Sequence, residues 1–182
     1  MPVSERTFQA VALEDPEGQW ELHCGRLREK PGMTFEHNYI ANRLQVHLIQ
    51  QLDQMVFLVS HNAARLRISA EHYYIPDVCV IPLELLRPHR GRSDELEVYE
   101  APLPLVVEVW SPSTGSYDVE TKLAEYQRRG DLEIWRIHPY ERTLTAWRRQ
   151  PDGSYLESFH QGGRIQPVAL PGVTIDLDTL FA

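Results

Sequence analysis

One glutamate interrupts the most apolar stretch of the chain. Glu108 lies within Leu105–Trp110, where the remaining five residues are all leucine, valine or tryptophan. A stretch this apolar predicts a strand that is buried on both faces, where an unpaired carboxylate is costly. Glu108 must therefore be paired with a cation, protonated or bound to a metal. A core glutamate held by an arginine and a metal ligand both remain compatible with the sequence.

Three further charged residues could join Glu108. Asp77 follows Pro76 and opens an apolar run, so it is either a turn residue or a carboxylate at the end of a strand. Asp118 and Lys122 lie four residues apart in a predicted helix and therefore share one face. Taken alone, they would form a surface ion pair that contributes about 0.3–0.5 kcal/mol to stability.

Taken together, these residues could carry out phosphodiester hydrolysis. Adjacent strands could place Asp77 and Glu108 at one edge of a sheet, and the next helix could bring Lys122 over that edge. The carboxylates would bind Mg²⁺ through oxygen atoms, and the lysine would stabilise the transition state or orient the attacking water.

Lysine is rare in this chain, which has 16 arginines and only two lysines, Lys30 and Lys122. Codon usage would account for the imbalance. Alternatively, a lysine remains where a compact charge with an adjustable pKa is needed, because arginine cannot supply either property.

The predicted elements indicate how the chain could position these groups. A helix over 34–54 starts after the N-cap Thr34 and has apolar residues every four positions from Ile40 to Leu52. An exposed loop is expected over 83–101. The order of elements predicts an α/β or α+β domain with one central mixed sheet. Strands are expected within 19–30 (two) and over 56–59, 65–69, 73–81, 103–110, 132–137, 143–149, 154–159 and 173–177.

A second helix is expected over 117–129, because Gly130 is a natural C-terminal stop. Its four- and seven-residue spacings should bury one apolar stripe against the sheet and leave two arginines exposed. The stripe is Val119, Leu123 and Tyr126, and the arginines are Arg128 and Arg129.

Length, charge and cysteine content exclude several classes of protein. The 182 residues are the length of one ordinary domain, which we divide into an N-terminal arm over 1–18 and a domain over 19–182. The net charge of −8 excludes a strongly basic protein that coats nucleic acid. Two cysteines are too few for a disulfide framework or a four-thiolate zinc site. With neither a signal peptide nor an apolar run of about 20 residues, we expect a cytoplasmic protein that does not associate with membranes.

The candidate residues also stand in a recognisable pattern. In these residues and the segments that flank them, the chain resembles the Uma-type putative restriction endonuclease family of the PD-(D/E)XK nuclease superfamily. The resemblance covers about residues 19–181, and the segment 108–114 with its following Asp and Lys is its most specific part. The matching residues are Pro76-Asp77, Glu108-Val-Trp-Ser-Pro-Ser-Thr114, Asp118, Lys122, Tyr126, Gly130 and Glu133-Ile-Trp135.

The resemblance implies a restriction-endonuclease-like fold, in which helices flank a central mixed sheet and β-hairpins are added. It implies that Asp77 and Glu108 bind the metal. Two residues after Glu108, where the superfamily pattern has lysine, this chain has Trp110, so Lys122 on the following helix becomes the candidate catalytic lysine. Accessory roles are implied for Asp118, which would orient Lys122, for Glu36 or His37, and more weakly for Glu21.

The resemblance further implies Mg²⁺ as cofactor, with Mn²⁺ as a substitute, and DNA as substrate. A homodimer is expected, because cutting both strands needs two sites. Two alternatives stay open: a non-catalytic binding or dimerisation module, and a hydrolase of another phosphoester. The eight histidines show no close metal-binding spacing along the sequence, and we expect most of them at the surface.

Overall fold

The computed structural model describes residues 2–113 and 115–182, with the side chains of 115–119 left out. Thirteen strands and five α-helices occur in this part of the chain. The helices are α1 (Glu5–Glu14), α2 (Phe35–Gln51), α3 (Leu83–Leu86), α4 (Gly115–Arg129) and α5 (Leu177–Leu180). The strands are β1 (Trp20–His23), β2 (Arg26–Glu29), β3 (Phe57–His61), β4 (Arg65–Ser69), β5 (His72–Tyr74), β6 (Val78–Pro82), β7 (Val98–Tyr99), β8 (Leu105–Val109), β9 (Glu133–His138), β10 (Thr143–Arg149), β11 (Tyr155–His160), β12 (Arg164–Ile165) and β13 (Ile175–Asp176).

A six-stranded sheet lies at the centre of the fold, in the order β11-β10-β9-β8-β6-β3. It is mixed, because β8 and β9 run parallel whereas the other neighbours are antiparallel. Side chains alternate between its faces. Val107 of β8 packs with Leu44 of α2, and its neighbour Val106 packs with Tyr126 of α4. The predicted helix-flanked mixed sheet is therefore confirmed.

A second sheet was not predicted. It has five strands in the order β2-β1-β5-β4-β7, and Tyr74 of β5 packs in the same core as Tyr126 of α4. The single strand expected over 73–81 is wrong: it is two strands in different sheets, joined by Ile75-Pro76-Asp77. Pro76 has no N–H to donate to a ladder, so the chain leaves one sheet here and enters the other. This connection sets Asp77 at the junction of the two sheets.

The helix α2 follows the predicted pattern closely. Thr34 Oγ1 accepts a hydrogen bond from His37 N at 3.3 Å, and the apolar stripe that includes Ile40 and Leu44 is buried. In α4, Tyr126 is fully buried and the Arg128 side chain is exposed, as expected. Arg129 contradicts its prediction, because its side chain is buried against Asp131 and the Ala101 carbonyl. Val119 lies outside the described side chains.

The chain ends differ from the sequence predictions in detail. The segment expected as a strand over 173–177 forms only β13, and α5 starts at Leu177. The predicted arm over 1–18 contains α1, whose Phe8 packs on Leu22 and Tyr73 of the second sheet. The boundary at residue 18 remains a prediction. No helix in the described part of the chain is long and apolar enough to cross a bilayer.

Candidate active site

Asp77 and Glu108 meet at one edge of the central sheet. The strands β6 and β8 are antiparallel, with Val78 paired to Val107. Asp77 precedes Val78 and Glu108 follows Val107, so the two residues lie opposite each other. The backbone N–H of Val109 donates to Asp77 Oδ2 at 2.6 Å. Strand register therefore places two distant sequence positions next to each other on adjacent strands.

Asp77 is held by a lysine and a histidine in a buried site. Lys30 Nζ lies 2.6 Å from Asp77 Oδ1 and also donates to Asn62 Oδ1 and to the Ile75 carbonyl. His37 Nε2 lies 3.0 Å from Asp77 Oδ2. Burial alone would raise the pKa of Asp77, but Lys30 and His37 outweigh that effect and hold the pKa well below its usual range.

His37 is the residue of α2 that reaches this carboxylate. Its contact with Asp77 falls outside hydrogen-bond geometry, so its buried Nε2 has no hydrogen-bond partner among the described residues. The neighbouring Glu36 is exposed and lies in the wall of a surface cavity with Tyr140 and Arg142. Of the two alternatives on α2, the structure thus brings His37 to Asp77.

Glu108 and Lys122 meet on the α4 side of the sheet. Lys122 is fully buried, and its Nζ lies 3.4 Å from Glu108 Oε1 and 2.9 Å from Glu21 Oε1. Tyr126, one turn further along α4, donates its hydroxyl proton to Glu108 Oε1 at 2.6 Å. Burial and the Glu108 charge raise the pKa of this phenol well above its ordinary value, so it remains a donor.

Several alternatives for these residues are now decided. Lys122 is not a member of a surface ion pair, because it is fully buried among carboxylates. Lys122 supplies a cation beside Glu108, where the alternative interpretation placed an arginine. Glu21, the weakest accessory candidate, accepts hydrogen bonds from Lys122 Nζ and from the Ile75 N–H. The side chain of Asp118 lies outside the described residues.

The sequence analysis did not assign Lys30 or Asn62 to the site. For Lys30 a signal was present, because it is the only other lysine of the chain. Both lysines are buried against the candidate carboxylates. For Asn62 we find no sequence signal; its φ of 51° lies in the left-handed region, which asparagine tolerates better than most residues.

These residues form what we call the sheet-junction cluster: Glu21, Lys30, His37, Asp77, Glu108 and Lys122. It holds three carboxylates against two ammonium groups, so one negative charge remains to attract a cation. Carboxylate oxygens are the ligands that Mg²⁺ prefers, and Mg²⁺ usually takes only one or two of them and keeps several waters. Asp77 and Glu108 carry carboxylate oxygens of the kind that such an ion takes.

Comparisons with known proteins identify the family and the fold of the chain. A family model described as "Uma2: Putative restriction endonuclease" matches residues 6–178. The chain belongs to this family. No curated protein matches it.

A solved structure supports the fold of this family member. It is the crystal structure of a protein from Anabaena variabilis, described as a putative nuclease belonging to DUF820. The two chains are 17% identical and superpose with a TM-score of 0.78 over 99% of this chain and 98% of that one. At this identity the likeness establishes the fold.

Proposed function

We propose that the protein is a Mg²⁺-dependent endonuclease that hydrolyses phosphodiester bonds in DNA, and that Mn²⁺ can replace Mg²⁺. Asp77 and Glu108 would hold the metal, and Lys122 would act on the reacting phosphate or its attacking water. The observation that carries this proposal is the fully buried Lys122, whose Nζ is 3.4 Å from Glu108 Oε1. Membership of the family supports it, as does the likeness in fold to an Anabaena protein described as a nuclease.

Each polar contact of the cluster has a role in this mechanism. The Val109 N–H and Lys30 hold the Asp77 carboxylate in place and keep it ionised, and the Tyr126 hydroxyl orients Glu108. When bound, Mg²⁺ would polarise the phosphate and lower the pKa of a coordinated water. The ammonium of Lys122 would contribute positive charge where negative charge develops on the phosphate oxygens.

Glu108 indicates the direction from which the substrate would approach. Its side chain is 9% exposed, whereas those of Lys122 and Asp77 are 0% and 2% exposed. The scissile phosphate would therefore reach the cluster from the side of Glu108. The net charge of −8 implies weak, salt-sensitive binding to DNA outside the site. We further propose that the protein acts as a homodimer, since cutting both strands requires two sites.

One observation favours a second candidate function. Both cluster lysines already neutralise carboxylates within the chain, which is the arrangement expected if the cluster only stabilises the fold. The protein would then be a binding or dimerisation module that retains the nuclease fold. A hydrolase of another phosphoester would use the same residues as the nuclease and differ in substrate.

The test is nicking of supercoiled plasmid DNA by the purified protein with Mg²⁺, with Mn²⁺ and with chelator. We expect metal-dependent nicking that Asp77→Asn and Glu108→Gln each abolish. The control is Glu36→Gln, because Glu36 is an exposed carboxylate next to the site. Hydrolysis of a small chromogenic phosphodiester without nicking would indicate the other phosphoesterase. Absence of both activities, with the wild type folded, would favour the binding module.

A further inference from the structure

Two consecutive residues, His23 and Cys24, meet the distant His72 at the turn between β1 and β2. His23 is the last residue of β1, and Cys24 is the first residue of the turn. His72 opens β5, which pairs with β1 through Leu22 and Tyr73. The turn therefore lies beside the start of β5. In the part of the chain that the structure describes, these residues are the only three His, Cys, Asp or Glu side chains whose ligand atoms all lie within 4.8 Å of one another.

The two sulfur-to-nitrogen distances within this turn trio match those of a tetrahedral metal site, and all three ligand atoms lie within 4.8 Å of one another. Cys24 Sγ lies 3.5 Å from His23 Nε2 and 3.4 Å from His72 Nε2. Bonds of about 2.3 Å from zinc to sulfur and 2.0–2.1 Å from zinc to nitrogen, at tetrahedral angles, separate sulfur and nitrogen by about 3.5 Å. One ion could therefore contact all three atoms with little movement of the side chains.

The other nitrogen of each imidazole has a hydroxyl partner. His23 Nδ1 lies 2.8 Å from the Tyr74 hydroxyl, and His72 Nδ1 lies 2.9 Å from Ser69 Oγ. Such partners orient the ring and fix which nitrogen carries the proton, as they do around histidines that bind metals. Here they direct both Nε2 atoms towards the Cys24 sulfur.

The backbone at the turn is also unusual for a cysteine. Cys24 has a φ of 49°, and the following Gly25 has a φ of 68°. Two successive positive φ values define the tight hairpin turn in which asparagine and glycine are preferred at the first position. A cysteine held there has its exposed thiol beside two imidazoles.

We propose that His23, Cys24 and His72 bind one Zn²⁺ ion and leave its fourth position open to water or another ligand. Two imidazoles and one thiolate are ligands that suit zinc, whereas the oxygen-rich sheet-junction cluster suits Mg²⁺. The turn trio is thus a separate site with a different metal preference. This assignment does not depend on the proposed nuclease activity.

Titration of the reduced, full-length protein with Co²⁺ tests the site without any activity measurement. Cobalt replaces zinc and gives a thiolate-to-cobalt charge-transfer band only if a cysteine ligates it. We expect one Co²⁺ per chain with this band, and its loss when Zn²⁺ is added. Burial raises the pKa of the Cys79 thiol well above its ordinary value, so Cys79 does not supply the thiolate.

Variants locate the ion. Cys24→Asn should abolish the band while keeping the turn, since asparagine favours a positive φ. His72→Gln should lose the band or bind Co²⁺ at least about 10-fold more weakly, and Tyr74→Phe should weaken binding about 10–100-fold through His23. His47→Gln on α2 should leave the titration unchanged, and Glu108→Gln in the sheet-junction cluster should leave the charge-transfer band unchanged.

The site is refuted if the wild-type protein gives no charge-transfer band, or if the band persists in folded Cys24→Asn. It is equally refuted if Glu108→Gln removes the band while His72→Gln retains it. Because Cys24→Asn alters the turn between β1 and β2 whereas His72→Gln alters β5, failure of one variant to fold leaves the other as the test. Thermal midpoints measured without metal identify such a failure.

Discussion

The sheet-junction cluster and the turn trio both contact the side chain of Tyr74. They differ in how their polar groups are paired. The ring of Tyr74 lies 5.6 Å from Lys122 Nζ, and its hydroxyl contacts His23 Nδ1. In the sheet-junction cluster, buried carboxylates are neutralised by lysines of the same chain. In the turn trio, potential metal ligands contact one another close to the surface. The first region should therefore contribute strongly to stability before any metal binds, and the second should contribute little.

The largest expected effect is the loss of Lys30. Lys30→Met would leave the buried Asp77 carboxylate without its closest cation. It would also remove the hydrogen bond that Lys30 donates to Asn62 Oδ1 and the one that it donates to the Ile75 carbonyl. Removing one partner of a buried pair costs about 3–5 kcal/mol. We expect that decrease in the free energy of unfolding, measured by urea denaturation.

The control for this prediction is Arg164→Met, which removes an exposed partner of Asp176. Exposed pairs contribute about 0–1 kcal/mol. Equal losses in the two variants would contradict the difference we draw between buried and exposed charges.

A smaller effect is expected when Lys122 becomes arginine. If Lys122 acts on the reacting phosphate, the planar guanidinium cannot replace its compact charge, and plasmid nicking should fall by roughly 10²-fold. The residue is fully buried, so overpacking should also cost about 1–3 kcal/mol of stability.

A matched variant, Lys30→Arg, separates these two effects. Lys30 is buried within the same cluster but contacts Asp77 instead of Glu108. We expect Lys30→Arg to lose about as much stability as Lys122→Arg but much less nicking activity. Equal activity in the two variants, at equal thermal midpoints, would remove Lys122 from the chemistry.

The pH dependence of stability should reveal Asp77. Its pKa is depressed in the folded protein by Lys30 and His37, so its contribution is present above the unfolded pKa of about 4 and is lost as the pH falls below it. By pH 3 the wild type should have lost about 1 kcal/mol relative to Asp77→Asn, because only the unfolded wild type takes up this proton. A constant difference from pH 6 to pH 3 would mean that the pKa is not depressed.

The smallest effect is expected in the turn trio. Without metal, Cys24→Asn should leave the free energy of unfolding unchanged or raise it by about 0.5 kcal/mol, since asparagine suits the positive φ of 49° better. With Zn²⁺ present, the wild type alone should gain stability by mass action. A zinc-dependent rise in the thermal midpoint of both proteins would place the ion elsewhere.

Local patterns predicted most of the elements. The four-residue spacing and Thr34 predicted α2, and Pro151-Asp152-Gly153 lies between the strands of the β10–β11 hairpin as expected. Asp77 and Glu108 were predicted as neighbours because two adjacent strands could place them at the same edge of a sheet. The second sheet was missed, because β5 and β6 form one continuous run in the sequence and only Pro76 marked the break between them. Arg129 was predicted to be exposed because the helical spacing places it off the apolar stripe. That spacing does not reveal its buried partner, Asp131.

The sequence by itself determined the class of fold, the two carboxylates and the importance of lysine in a chain rich in arginine, because hydrophobic periodicity and residue chemistry are local properties. Tertiary structure alone decided which carboxylate each lysine neutralises and that His37, rather than Glu36, reaches Asp77. It also brought His72 to a turn 48 residues earlier in the chain. The register of β1 on β5 makes that contact, and register depends on pairing between distant strands that no local pattern encodes.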